Sequence, residues 1–263
     1  MATNVFGNPV TDDTVRLVHP NLTQITALHR AEVALQYMNA DDRAINVSRF
    51  VHNLKGAYGT GTSTLCMIFN ATGGNLQFDR HHSWEGSVWQ SPFPQVIQNG
   101  QWAGFLFVRN RLMGPSKGAV VYRGQNNAGI GRDWMVAWNT PRMNWQNRVE
   151  NYALKPATLE VYTEIRSAGS FNSVNWNNIN NSMEAQYNNH STTSLGCFSS
   201  VSIGSGSSPE FVGILSLAGL RSDLMAIAGD VSVVTESLDS KYEDEVGEGG
   251  EGEDEAAPAV PAA

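Results

Sequence analysis

Three short apolar runs, Gly100-Gln-Trp-Ala-Gly-Phe-Leu-Phe-Val108, Gly118-Ala-Val-Val-Tyr122 and Asp133-Trp-Met-Val-Ala-Trp138, carry the clearest structural signal in the sequence. They are rich in β-branched and aromatic residues and are separated by Gly, Pro and Asn, a pattern typical of antiparallel strands joined by turns. Six of the seven Trp residues lie between Trp84 and Trp145. So many indoles indicate either a bulky core or a surface that binds a flat or apolar ligand.

The same strand pattern continues in both directions along the chain. We predict strands at residues 64–70, 75–80, 86–90, 101–109, 118–123, 133–138, 158–166, 197–203 and 210–218. No long helical pattern interrupts residues 62–166. This spacing favours two packed antiparallel sheets over alternating strands and helices, so the predicted fold is mainly β, an antiparallel β-sandwich.

Residues 24–58 carry a helical pattern instead. Apolar residues recur at steps of three and four on both sides of a break at Asp41-Asp42. We expect one of these aspartates to cap the second helix and Gly59 to end it. Two helices packed on the sandwich are the expected arrangement. A membrane-inserting amphipathic segment is the alternative, although such segments usually carry more basic residues.

These patterns divide the chain into an N-terminal helical segment (1–60), a β-sandwich (61–222) and a C-terminal extension (223–263). Residues 172–190 contain eight Asn and are expected to form a loop or a short polar helix. From Lys241 onward the chain is mostly Glu, Asp, Gly, Ala and Pro. We expect this acidic tail to be disordered, because it has too little apolar surface to offset the entropy of ordering.

The net charge of −8 belongs to the tail. Eight of the 25 acidic residues lie between Glu243 and Glu255, which leaves 17 acids against 17 bases in the rest of the chain. A neutral body lacks the clustered basic surface that nucleic acid binding requires. We therefore expect no nucleic acid partner.

The N-terminus shows no basic region followed by an apolar run, and no apolar stretch approaches the ~20 residues that a transmembrane helix needs. We expect a cytoplasmic protein without a transmembrane segment. Cys66 and Cys197 are the two cysteines. Reduced thiols are the expected state, while a single disulfide between them stays open, as does the oligomeric state.

Several motifs resemble the plant 23 kDa jasmonate-induced protein family. They are Val5-Phe-Gly-Asn-Pro9, Arg30-Ala-Glu-Val-Ala-Leu35, Ser63-Thr-Leu-Cys66, Phe69-Asn-Ala-Thr-Gly73, Asn99-Gly-Gln-Trp102, Ala119-Val-Val-Tyr-Arg123, Asp133-Trp-Met-Val-Ala-Trp138, Tyr162-Thr-Glu-Ile-Arg166 and Ser202-Ile-Gly-Ser205. They cover roughly residues 4–220 in order. The resemblance implies a stress- or jasmonate-responsive plant defence protein that is not an enzyme and acts by binding.

A second set of residues is similar to actinoporins and fungal actinoporin-like lectins. It comprises Pro94, Ile97 and Gly100, then Gly118 and Tyr122, then the strand end Trp138-Asn-Thr-Pro141. Those proteins are β-sandwiches that recognise sphingomyelin-type lipid at membrane surfaces. The resemblance implies an actinoporin-like sandwich with a head-group pocket near Pro141. Its alternatives are a pore-forming protein whose helices 24–58 insert after docking, and an inert protein that accumulates under stress.

The Trp residues are expected to divide between core and surface. Six clustered indoles would crowd one core, and each buried indole N–H needs a partner. Those beside turns or polar residues are candidates for the surface, where an indole can stack on a sugar ring or hold a quaternary ammonium. The similarity to actinoporins and actinoporin-like lectins implies the ligand class, a lipid head group or a glycan, and the pocket near Pro141. The predicted site therefore comprises Trp84, Trp89, Trp102, Asn139, Pro141, Trp145 and Tyr152.

Patterns that indicate catalysis or metal binding are weak. The densest titratable cluster is Arg80-His-His-Ser-Trp-Glu85, which we expect to form a hairpin loop. Adjacent His on a strand point to opposite faces, whereas zinc needs three or four convergent ligands. Cys66 lies in an apolar strand, and Cys197, expected to be more exposed, has no neighbouring base to activate it. We predict no catalytic residue, no metal and no cofactor.

Overall fold

The computed structural model describes residues 4–112, 114–141, 158–220 and residue 226. In chain order its elements are β1 (Val5–Phe6), α1 (Asp12–Val18), α2 (Ala27–Gln36), α3 (Arg43–Tyr58), β2 (Ser63–Ala71), β3 (Leu76–Glu85), β4 (Ser87–Trp89), β5 (Val96–Ile97), β6 (Trp102–Val108), β7 (Ser116–Gln125), β8 (Gly131–Thr140), β9 (Glu160–Ser167), α4 (Trp176–Glu184), β10 (Asn189–Ser194), β11 (Cys197–Ile203) and β12 (Glu210–Leu217).

The strands form two sheets. The first has the order β1-β6-β2-β12-β11-β10, with β4 also paired to β6, and the second has the order β5-β3-β7-β8-β9. Neighbouring strands are antiparallel except β2 and β12, which run parallel. The two sheets share one apolar core, so the predicted β-sandwich is confirmed.

Burial on both faces explains why the first sheet contains continuous apolar runs. Every residue of β2 and β6 is buried, because the second sheet covers one face and the N-terminal helices α2 and α3 cover the other. Gly104 lets α3 approach closely, since a Cβ there would lie 2.8 Å from the Val47 Cγ2 atom. The two predicted helices are therefore confirmed.

The ends of α3 agree with the sequence in part. Gly59 follows its last residue with φ of 80°, a backbone conformation that Gly adopts easily. Asp42 occupies the N-cap position, but its side chain makes no capping hydrogen bond. The expectation that an aspartate side chain caps this helix is therefore wrong.

Strands that are very short or have few apolar residues are those that the sequence pattern missed. The strand β10 reads Asn189-His-Ser-Thr-Thr-Ser194, and β1 and β5 are two residues long, so none of them shows an apolar alternation. The short polar helix expected in the Asn-rich segment is α4. It covers the outer face of the second sheet with Ile179 and Met183.

Two expectations about reactive side chains are wrong. His81 and His82 lie in the strand β3 and not in a hairpin loop. The His81 ring stacks on Phe93, and the His82 ring stacks on Trp176. Cys197 is buried rather than exposed, because it pairs with Leu217 inside the first sheet.

Three Trp side chains form the centre of the core. Trp102, Trp134 and Trp138 are fully buried, so the prediction that Trp102 lies on the surface is wrong. Its indole N–H donates to the Met38 carbonyl oxygen at 2.9 Å, which links β6 to the end of α2. Gly100 and Gln101, which precede Trp102, are typical of a turn and led to the surface prediction. The indole N–H instead finds its hydrogen-bond partner inside the protein.

The two sheets approach each other where β9 faces β10. The Val161 N–H donates to the Tyr187 carbonyl oxygen at 3.1 Å, and the Thr163 N–H donates to the His190 Nδ1 atom at 3.2 Å. The His190 ring thus replaces a main-chain acceptor, and this bond requires Nδ1 without a proton. Burial lowers the pKa of His190, in agreement with a neutral ring.

We predict that this contact makes stability depend on pH. Because the folded state lowers the pKa of His190 below its ordinary value of 6.5, its stabilising contribution is complete above about pH 6.5 and is lost as the pH falls. His190→Asn keeps an acceptor oxygen near the Nδ1 position but does not titrate. Urea unfolding at pH 7.5 and 5.5 should show a smaller loss of stability in this variant than in the wild type.

Some loss should persist in the variant, because burial also lowers the pKa of His82. An equal loss in both proteins would show that His190 does not hold this edge of the sandwich in a pH-dependent way.

A second prediction concerns the Trp102 hydrogen bond. Trp102→Phe leaves the buried Met38 carbonyl oxygen without its donor, whereas the indole N–H of the equally buried Trp134 has no hydrogen-bond partner among the described residues. Both substitutions remove a similar volume. We expect Trp102→Phe to lower the free energy of unfolding by about 1–3 kcal/mol more than Trp134→Phe does, in urea unfolding. Equal losses would mean that the bond adds nothing to stability.

Candidate functional site

The strand topology brings most of the predicted site residues to one end of the sandwich. This loop end is where β3, β6 and β8 finish and β2, β4, β7 and β9 begin. Trp84, Trp89, Asn139 and Pro141 all lie near it. Trp145 and Tyr152 lie in residues 142–157 of the connection between β8 and β9, outside the described residues.

The half-buried indoles at this end occupy two separate places. Trp84 lies on the outer face of the second sheet, where its ring is 4.8 Å from the His82 ring and 6.0 Å from that of Trp176. Trp89 lies beside the first sheet, with its ring 5.5 Å from that of Tyr58 in α3. They do not contact each other in one patch, and their role in binding stays a prediction.

Asn139 belongs to a polar row across the second sheet. Glu85, Lys117, Asn139 and Glu160 are neighbours in register on four adjacent strands. Asn139 Nδ2 donates to a Glu160 carboxylate oxygen at 2.9 Å, and Lys117 Nζ donates to Glu184 of α4 at 3.0 Å. The hydrogen bond from Lys117 is the main cause that lowers the pKa of Glu184. Asn139 and Glu160 therefore bond each other, and Lys117 is paired with a carboxylate of α4.

An open groove of about 740 Å³ lies at the same end. Its walls come from α3, from the residues just before β9, from the segment before β10 and from the turn between β11 and β12. His52 Nε2 lies 2.8 Å from a Glu210 carboxylate oxygen, and the Ser48 hydroxyl donates to the same oxygen at 3.1 Å. Tyr187, on the rim, is 71% exposed. The groove therefore presents a carboxylate, an imidazole and an exposed aromatic ring.

The sequence did not indicate the groove residues. Tyr187 lies near the end of the Asn-rich segment, and Glu210 is the first residue of a strand that is distant from His52 in sequence. The one local signal was an aromatic residue within a strongly polar stretch. Trp176 also lies in this polar stretch, and the sequence did not indicate it either. Its ring stacks on that of His82 at 4.5 Å with an interplanar angle of 1°.

A cationic corner, formed by Lys55, Tyr58, the turn 59–61, Trp89 and Arg109, lies next to the groove, because Ser208 of the groove wall donates to the Gly61 carbonyl oxygen at 3.4 Å. Lys55 Nζ donates to the carbonyl oxygens of Gly59 and Gly61 at 2.8 and 2.9 Å. The Arg109 guanidinium packs against Gly61 and donates to the Leu112 carbonyl oxygen. Burial, and then the charge of Arg109, lower the pKa of Lys55.

The described residues offer no site for metal or thiol chemistry. Within them, no three His, Cys, Asp or Glu side chains are grouped so as to hold a metal ion. Cys66 and Cys197 are free and buried, and burial raises the pKa of Cys66 well above its ordinary value and that of Cys197 to about 12. Neither thiol ionises at neutral pH, as a cysteine nucleophile must.

Comparison with known proteins agrees with the fold and with the sequence motifs. The chain is 34% identical to the 23 kDa jasmonate-induced protein of Hordeum vulgare over 221 residues, which are 81% of this chain and 98% of that protein. It is 29% identical to a jasmonate-induced protein homolog of Atriplex canescens over 117 residues, 44% of this chain and 58% of the relative. The expected resemblance to jasmonate-induced proteins is confirmed.

A solved structure shares the architecture. The crystal structure of the lipid binding protein Nakanori matches with a TM-score of 0.68 and 22% identity, and the match covers 81% of this chain and 99% of that one. At this identity the likeness shows the fold. The model of the Nakanori-like protein family matches residues 6–218, nearly the whole described part of the chain. The chain therefore belongs to the Nakanori-like family.

Proposed function

We propose that the chain is a non-enzymatic, stress-related binding protein that docks on membrane lipid through its loop end. The observation that carries the proposal is the open groove of about 740 Å³, which has the size of a small-molecule site. Relatives named jasmonate-induced proteins support the link to stress, and a related fold described as a lipid binding protein supports the ligand class.

The walls of the groove suit a polar head group that carries a cation. Glu210 supplies a carboxylate whose position is set by the hydroxyl of Ser48 and by His52 of α3. The exposed ring of Tyr187 supplies a π face on the rim. A quaternary ammonium near an aromatic face gains about 0.5–2 kcal/mol. Because hydrogen bonds from α3 already fix the Glu210 carboxylate, this group needs little ordering on binding.

Two exposed apolar side chains favour a membrane surface over a free glycan. Leu112, in the connection between β6 and β7, is 79% exposed, and Tyr187 is 71% exposed. Apolar tips at one end of a rigid body can enter the boundary between head groups and acyl chains, whereas a sugar offers them no apolar phase. Glycan binding is therefore an outcome for the test to detect.

We propose docking without pore formation. The apolar stripe of α3, with Val47 and Val51, is buried against β6, so insertion of this helix would expose the first sheet to water. In the described residues, no helix combines the length and the apolar character needed to cross a bilayer. The free and buried Cys66 and Cys197 suit a reducing compartment, and we propose a cytoplasmic location.

We predict that the exposed apolar tips determine membrane affinity. Leu112→Ala and Tyr187→Ala each remove apolar area that would leave water on docking, so each should weaken partition onto phosphatidylcholine–sphingomyelin vesicles about three- to thirtyfold. Co-sedimentation at a series of lipid concentrations measures this. Ile130→Ala is the matched control, because Ile130 is 52% exposed on the turn between β7 and β8 at the opposite end.

If all three variants bind the vesicles as the wild type does, the loop end is not the docking surface. Release of an entrapped dye on binding would instead favour the pore-forming alternative. Saturable binding on a glycan array without vesicle binding would favour a lectin-like function.

A further inference from the structure

We propose that the cationic corner is a binding site for a phosphate group, held between the Lys55 ammonium and the Arg109 guanidinium. The phosphate group is either free or part of a phospholipid head group. For the lipid source the inference rests on the proposed function, whereas recognition of free phosphate does not. Lys55 and Arg109 do not line the groove, which presents the Glu210 carboxylate, but their site adjoins it at the Gly61 carbonyl oxygen, which accepts from both Lys55 and Ser208.

Lys55 has a donor left for a ligand. Its Nζ atom donates to the carbonyl oxygens of Gly59 and Gly61, two residues of the turn that follows α3. A lysine ammonium carries three N–H donors, so one remains after these two bonds. A Cβ added to Gly59 would meet no atom within 4 Å, which shows that the space beside the turn is open.

Arg109 supplies donors beside the same turn. A Cβ at Gly61 would lie 2.8 Å from Nε and 2.9 Å from Nη2 of Arg109, so the guanidinium lies directly on this Gly, where φ is 137°. The Leu112 carbonyl oxygen accepts from Nη1. A guanidinium has five N–H donors in a planar fork, and the donors on Nε and Nη2 can therefore meet two oxygens of a phosphate.

Within the described part of the chain, carboxylates do not balance the charges at the corner. Among the residues that the structure describes, neither Lys55 nor Arg109 forms an ion pair with a carboxylate. Two cations on one turn repel each other, and the lowered pKa of Lys55 has this charge among its causes. An anion between them would remove the repulsion, which gives binding an electrostatic driving force.

The surroundings favour a phosphate on a larger molecule. Lys55 Nζ lies 5.3 Å from the centre of the Tyr58 ring, and the Trp89 ring packs edge-on against Tyr58 at 5.5 Å. These half-buried rings form an apolar wall next to the two cations. Such a wall suits the organic part of a phosphate ester, and contact of Trp89 with the ligand stays a prediction.

The test measures binding of inorganic phosphate and of vesicles by the full chain. Phosphate is titrated at constant ionic strength while the amide NMR signals of Gly59 and Gly61 are followed. We expect saturable shifts, and at least tenfold weaker binding in Arg109→Gln and in Lys55→Gln. The matched control is Arg16→Gln, since Arg16 is a cation on α1 with a side chain that is 61% exposed. This control should bind phosphate as the wild type does.

The second arm uses phosphatidylcholine vesicles with and without phosphatidic acid. Tighter binding to the phosphatidic acid vesicles that Arg109→Gln abolishes would assign the lipid head group as a source of the phosphate. Phosphate binding without vesicle binding would support the corner and reject the proposed membrane function. Vesicle binding with no saturable phosphate shifts, or with phosphate shifts that Arg109→Gln leaves unchanged, would overturn the corner and leave the membrane function standing. Equal shifts with acetate would also overturn it.

Discussion

Burial of the first sheet on both faces is the constraint on which the rest of the structure depends. The second sheet covers one face of β2 and β6, and α3 covers the other. Val47 of α3 packs directly against Gly104 of β6. Removing this much apolar surface from water supplies most of the favourable free energy of the fold. The same burial fixes the positions of the strand and helix ends, from which the loops begin.

Both candidate binding features follow from how α3 is seated. Because the helix runs along β6 toward the loop end, its last turn carries Lys55 to the end of β6, where Arg109 follows. The preceding turn of α3 places His52 beside Glu210, the first residue of β12. The groove and the cationic corner therefore lie next to each other along one face of the helix, on which Ser48, His52 and Lys55 follow at steps of four and three. They differ in charge, and a phospholipid with an ammonium and a phosphate presents both complementary groups.

The sequence predicted the fold more fully than the site. Apolar runs identified nine strands and two helices, because burial imposes a local period on each element. They missed β10, which has no apolar residue, and they placed Trp102 on the surface because flanking polar residues resemble a turn. The Met38 carbonyl oxygen that accepts from Trp102 is 64 residues away in sequence, and no local pattern signals such a partner.

The sequence by itself determined the β-sandwich, the helical N-terminus, the neutral body with its acidic tail, and the resemblance to jasmonate-induced proteins. Tertiary structure alone decided which indoles are buried, that Trp84 and Trp89 belong to different surfaces, and that Lys55 meets Arg109 beside an open turn. The physical reason is that hydrophobic periodicity reports the environment of each residue along its own element. Which charged and aromatic side chains lie close together depends instead on the order of the strands and on where the helix packs. Both bring together residues that are distant in sequence.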